Sequence, residues 1–60
     1  MKMYRLYAAD GRTDLGEFLE CDIRAAVEKI AGGRPWGWRA EFLELHAICD
    51  YKTIAIAIEI

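Results

Sequence analysis

Residues 53–60 read Thr-Ile-Ala-Ile-Ala-Ile-Glu-Ile, with isoleucine at every second position. Successive side chains of a strand point to opposite faces, so Ile54, Ile56, Ile58 and Ile60 share one face and Thr53, Ala55, Ala57 and Glu59 the other. Helical periodicity cannot produce this pattern. The chain must therefore build a sheet around this segment, because a lone strand leaves its backbone groups unpaired. A hairpin through Cys49–Lys52 would supply a neighbour from residues 38–49.

Those residues carry two signals. As a helix, Trp38, Phe42, Leu45 and Cys49 form a stripe at i, i+4, i+7 and i+11, and Ala-Glu-Phe-Leu-Glu-Leu has good helix formers. As a strand, Trp38, Ala40 and Phe42 alternate, then the phase slips to Leu43, Leu45 and Ala47. The strand reading is preferred, since the C-terminal strand needs a partner, and a β-bulge near Phe42–Leu43 accounts for the slip.

At the other end, residues 3–8 alternate as a strand, with Tyr4, Leu6 and Ala8 against Met3, Arg5 and Tyr7. Asp10-Gly11 signals a two-residue type I′ turn, pairing Ala9 with Arg12 and Leu6 with Leu15. Thr13, Leu15, Glu17 and Leu19 continue one face of a second strand, which Gly16 weakens. Asp22 is placed to cap a helix. Ile23, Ala26, Val27 and Ile30 form its apolar stripe, with Arg24, Glu28 and Lys29 on the wet side. Gly32-Gly33 and Pro35 stop it.

The expectation is one α+β domain over residues 1–60. It has a small antiparallel sheet of three to four strands in ββαββ order, with one short helix packed on one face. A single helix cannot cover both sides of such a sheet. The uncovered side is expected to carry Met3, Arg5, Tyr7, Phe18 and small alanines, facing water, a second copy or a partner.

Sixty residues bury only about 60% of the unfolded surface, so dense packing must hold the fold. A hydrophobic content of 55%, with two Trp, two Phe and three Tyr, provides for it. Eight basic residues against ten acidic give a net charge of −2. That balance, spread evenly along the chain, disfavours nucleic-acid binding, which asks for a basic patch. No apolar run suits a leader or a membrane span. Cys21 and Cys49 are too few for a disulfide framework and read as reduced, packed thiols. A cytoplasmic protein is expected, in the host cytoplasm if phage-encoded.

Motifs for chemistry are thin. His46 and Cys49 are the only metal-like spacing, with Cys21, Asp22 and Asp50 as further donors. On a strand, positions 46 and 49 face opposite ways. The same separation keeps His46 from serving Cys49 as a base. Glu17/Glu20 and Glu41/Glu44 resemble acid–base pairs, but a domain this small lacks the depth to desolvate one carboxyl. No catalytic residue, metal or cofactor is expected.

Gly32-Gly33-Arg34-Pro35-Trp36-Gly37-Trp38-Arg39 is the least ordinary stretch. Its glycines follow a helix, so it is no phosphate loop. Tryptophan and arginine are enriched at interface hot spots. The expected function is a non-enzymatic protein-binding module that blocks a partner surface. Phage and mobile elements encode many such proteins, anti-CRISPR inhibitors among them. Arg34, Trp36, Trp38 and Arg39 would contact the partner, with the tryptophans as anchors. Glu17, Glu20, Glu41 and Glu44 would steer toward a basic, nucleic-acid-handling surface. The alternatives are a homo-oligomeric assembly module that buries the open sheet face and, third, a nucleic-acid-binding regulator.

Overall fold

The computed structural model describes residues 1–60. It contains β1 (Met3–Ala8), β2 (Asp14–Leu19), α1 (Glu20–Ala31), β3 (Gly37–Glu41), β4 (Glu44–Cys49) and β5 (Lys52–Glu59). All strand pairs are antiparallel, in the spatial order β2-β1-β5-β4-β3. The isoleucine-rich β5 thus takes the centre and receives a neighbour on each side. The fold is α+β with one helix, as expected, but has five strands.

The fifth strand comes from residues 38–49. Glu41 pairs with Glu44, so Phe42-Leu43 is a two-residue hairpin turn rather than a bulge. The phase slip in the sequence is the chain reversing direction. Phe42 adopts φ 57°, the positive value that the first central residue of a II′ turn requires and that glycine usually supplies. The expected hairpin at Cys49–Lys52 is present. Asp50 and Tyr51 both have positive φ there, 53° and 64°, as a I′ turn demands.

The β1–β2 connection also departs from expectation. Only Gly11 of the Asp-Gly pair has positive φ, and the loop closes through Ala8 N–H to Thr13 C=O at 2.9 Å. The Asp10 carboxylate accepts from the backbone N–H groups of Arg12 and Thr13. Leu6 pairs with Gly16 instead of Leu15, and Tyr7 with Asp14. The extra residue is a bulge at Leu15-Gly16, with Gly16 at φ 107°. That one-residue change sends Phe18 to the helix side and leaves Leu15 at the exposed edge.

Helix α1 begins two residues before Asp22. Leu19 is its N-cap and makes no side-chain capping bond; the Glu20 N–H donates to the Lys2 carbonyl instead. The C-terminus is as read: Gly32 is left-handed at φ 64° and its N–H donates to Glu28 C=O. Ile23, Val27 and Ala31 are buried, and Ile30, at the rim of the expected stripe, is 37% exposed.

The core lies between α1 and the sheet. It comprises Tyr4, Leu6, Ile23, Val27, Ala47, Ala55 and Ala57, with Phe18, Trp36, Trp38 and Leu45 packed around it. The small alanines of β4 and β5 therefore face the helix, not the open side as expected. They leave room for Ile23 and Val27 to approach the sheet. The open side carries Met3, Arg5 and Tyr7, as expected, together with Ile56 and Ile58.

Candidate functional site

The strands alternate in direction, so their ends sort into two poles. One pole gathers the start of β1, the ends of β2 and β5, the start of α1 and the Phe42-Leu43 turn. The other gathers the Ala9–Thr13 loop, the Asp50-Tyr51 turn and the Gly32–Trp36 segment.

The sequence-derived residues divide between these places. Glu20, Glu41 and Glu44 belong to the first pole, where Glu59 joins them and Lys2 is the nearby cation, 3.9 Å from Glu59. Glu17 lies one step inward on edge strand β2, ion-paired to Arg5. Arg39 is on β3, on the open face, with its Nη2 3.0 Å from Glu41. Arg34 and Trp36 are at the opposite pole. The Arg34 Nε donates to Ala31 C=O at 2.7 Å and its Nη1 reaches Asp50 at 3.2 Å, tying the helix end to the β4–β5 turn.

Both tryptophans pack inward. Their rings meet edge to face, 5.0 Å between centroids at 86°, and half-bury against the core. The guanidinium of Arg24 lies 4.8 Å over the Trp36 ring. The Trp36 indole N–H is buried with no acceptor.

What the sequence did not mark as a site is the Phe42-Leu43 turn. Phe42 is fully exposed and Leu43 is 84% exposed. An aromatic held at positive φ and turned into water is unfavourable on both counts, so packing does not account for it. The only sequence signal was an apolar pair between two glutamates. Beside the turn, on the helix side, α1 leaves a corner of the sheet uncovered. The result is an open groove of about 450 Å³ with Tyr4, Ala40, Leu45 and Ala57 in its lining, and Phe42, Leu43 and Glu59 at its mouth. Leu19 and Ile60, both exposed, extend the apolar area at this pole. An apolar tip and groove within a carboxylate rim is suited to a basic partner surface with an apolar projection or pocket.

His46 and Cys49 lie on opposite faces. His46 is on the open face, its Nε2 2.9 Å from Glu44 and its Nδ1 3.2 Å from the Thr53 hydroxyl. A carboxylate only accepts, so Nε2 donates to Glu44, while the Thr53 hydroxyl can serve Nδ1 as donor or acceptor. Cys49 is buried on the helix side and Cys21 is exposed at the helix start. No three His, Cys, Asp or Glu side chains come together to hold a metal ion. No helix is long and apolar enough to cross a membrane.

No protein-family model, curated protein or solved structure matches this chain. The functional reading rests on the surface itself.

Proposed function

We propose that this protein is a non-enzymatic protein-binding module that inhibits its partner by occlusion, the mode used by small phage and mobile-element inhibitors such as anti-CRISPR proteins. The observation that carries the reading is the Phe42-Leu43 tip: two exposed apolar side chains, one at positive φ, between Glu41 and Glu44. Phe42 serves as the anchor that enters a pocket on the partner. Glu41, Glu44, Glu59 and Glu20 draw the tip toward a basic surface and reject acidic ones. A groove that handles nucleic acid has that character, and a domain seated in it excludes the nucleic acid.

The experiment is capture by the immobilised protein from a bacterial lysate, followed by affinity measurement with the purified target. The expected target is a nucleic-acid-binding protein. Phe42→Ala with Leu43→Ala should weaken binding by at least tenfold while the circular dichroism spectrum is unchanged, the scale of a hot-spot truncation. Retained affinity in that variant would sink the tip as the anchor. Arg34→Ala and Arg39→Ala, measured beside it, test the two arginines of the Gly32–Arg39 stretch, which the fold divides between the loop after α1 and strand β3, as contacts. Trp36→Ala and Trp38→Ala enter only with a stability control, because both rings pack on the core.

A further inference from the structure

The sheet face turned away from α1 is overlain only by the β1–β2 loop, whose Gly11 approaches Ile56 and helps leave it just 9% exposed, and the strand registers set its side chains in rows. One row runs Glu17, Arg5, Ile58, Glu44, Glu41 from β2 across to β3. The next runs Asp14, Tyr7, Ile56, His46, Arg39. Isoleucine occupies the central column, on β5. At equal distances either side of it stand groups of opposite sign: Arg5 on β1 against Glu44 on β4, and Asp14 on β2 against Arg39 on β3.

We propose that a second copy of this chain covers this face, related by a two-fold axis running along β5. That axis lays β1 of one copy over β4 of the other and β2 over β3. Arg5 then meets Glu44 of the second copy, Asp14 meets its Arg39, Tyr7 meets its His46, and the half-buried Ile58 meets its own counterpart. Glu17 falls opposite Glu41 of the second copy; every charged group in these rows also has a partner in its own chain, Arg5 with Asp14 and Glu17, Arg39 with Glu41 and Glu44 with His46, so the contacts between copies extend existing pairs into networks.

The pattern is specific to this axis. A two-fold across the strands would lay β2 on β2, set Asp14 against Glu17 and put Arg5 over Tyr7. The usual crossing of about 30° between packed sheets moves inner strands by only about 2.5 Å and edge strands by about 5 Å. Arginine side chains span both.

Five strands at about 4.8 Å spacing and roughly 17 Å of strand length give a footprint on the order of 400 Å² per copy. The total, near 800 Å² before side-chain relief, belongs to small, dissociable interfaces, so the dimer should form at about tens of micromolar and above. The axis also carries both Phe42-Leu43 turns to the same pole, so a dimer presents two tips side by side. The inference is independent of what those tips bind.

Sedimentation equilibrium on the full chain tests it. Wild-type protein should be dimeric at about 200 µM and monomeric at about 2 µM. Arg5→Glu and Glu44→Arg should each be monomeric, since each sets like charges across the interface twice. An equimolar mixture of the two should form a heterodimer, because both contacts then join glutamate to arginine. Circular dichroism checks that each variant folds. Ile58→Lys, which leaves the helix-side core untouched, provides a second monomer-forming variant should Arg5→Glu unfold through loss of its own pairs with Asp14 and Glu17. The proposal is overturned if wild type stays monomeric at about 500 µM, if Ile58→Lys or either charge variant alone still dimerises, or if the folded mixture stays monomeric.

Discussion

Phe42 concentrates the tension between stability and function in one residue. At φ 57° its β-carbon crowds the neighbouring carbonyl, which costs a non-glycine residue about 1–2 kcal/mol. Its ring, in water, recovers none of this. Phe42→Gly removes the strain, offset by the roughly 0.5–1 kcal/mol of extra chain entropy that glycine loses on folding. We expect Phe42→Gly to raise stability by up to about 1 kcal/mol, seen as a higher urea midpoint at unchanged slope, while partner binding is lost. A variant both less stable and fully active would show that the aromatic ring has a structural role. Asp10 and Asp14 show the opposite economy, since each carboxylate is held by its own loop. The backbone N–H of Thr13, then that of Arg12, holds the Asp10 carboxyl below its ordinary value. The N–H of Gly16, then the Arg5 guanidinium, does so for Asp14. Folded values below the unfolded ones mean that this stabilisation is complete above the ordinary carboxylate range and is lost as pH falls through the folded values. The thermal midpoint should therefore hold steady above about pH 5 and fall below about pH 4, and Asp10→Asn should make that fall shallower. An identical fall in Asp10→Asn would show that the loop hydrogen bonds to Asp10 do not act on stability.

Elements were legible where the pattern had one meaning. β5 and the hairpin at Cys49–Lys52 followed from the isoleucine repeat, and the helix stop from Gly32. Beyond the β1–β2 bulge, three features were not legible, each for a physical reason. The Phe42-Leu43 turn lacks glycine, asparagine or proline, so a reversal looked like a bulge. Asp22 looked like an N-cap, but α1 starts straight from β2 and lets Lys2 C=O take its first N–H. The isoleucines of β5 looked like the core face, yet alanines fill that role because the helix sits close. Two predictions follow from this geometry. Ala55 and Ala57 are essentially inaccessible beneath Ile23 and Val27, so Ala57→Leu should destabilise by about 1–3 kcal/mol through overpacking. Cost-free replacement would mean that the helix can lift from the sheet. Leu19 occupies a capping position with no capping oxygen, and Leu19→Asp should stabilise by about 0.5–1 kcal/mol by binding the free N–H groups of the first turn. Both are read from denaturant unfolding. As for the candidate site, the carboxylates Glu20, Glu41 and Glu44 could be picked out from the sequence, whereas their apolar centre could not, because it depended on the unforeseen turn.

At the scale of the molecule, the sheet order decides which residues act together. The last strand is the central one, so residues from both halves of the chain meet at one pole: Lys2 and Glu20 from the first half, Glu41, Phe42, Leu43, Glu44 and Glu59 from the second. Four carboxylates there face two cationic side chains, Lys2 beside Glu59 and Arg39 beside Glu41, although the whole chain carries a charge of only −2. The local field at this pole is thus more negative than the average composition implies, and it acts over about a Debye length, 8–10 Å near physiological salt. Field and tip should control different steps of binding. Long-range attraction speeds encounter, whereas a buried aromatic slows release. Raising salt from about 0.05 to 0.5 M should therefore slow association with a basic partner by roughly tenfold and change dissociation little. Glu41→Gln with Glu59→Gln should reproduce the slower association at low salt and blunt its salt dependence. Phe42→Ala should leave association nearly unchanged and speed dissociation. Surface-plasmon-resonance kinetics at several salt concentrations separate the two. If salt and the carboxylate variants act on dissociation, or Phe42→Ala acts on association alone, the division between a steering rim and an anchoring tip is wrong, and the contact lies elsewhere on the molecule.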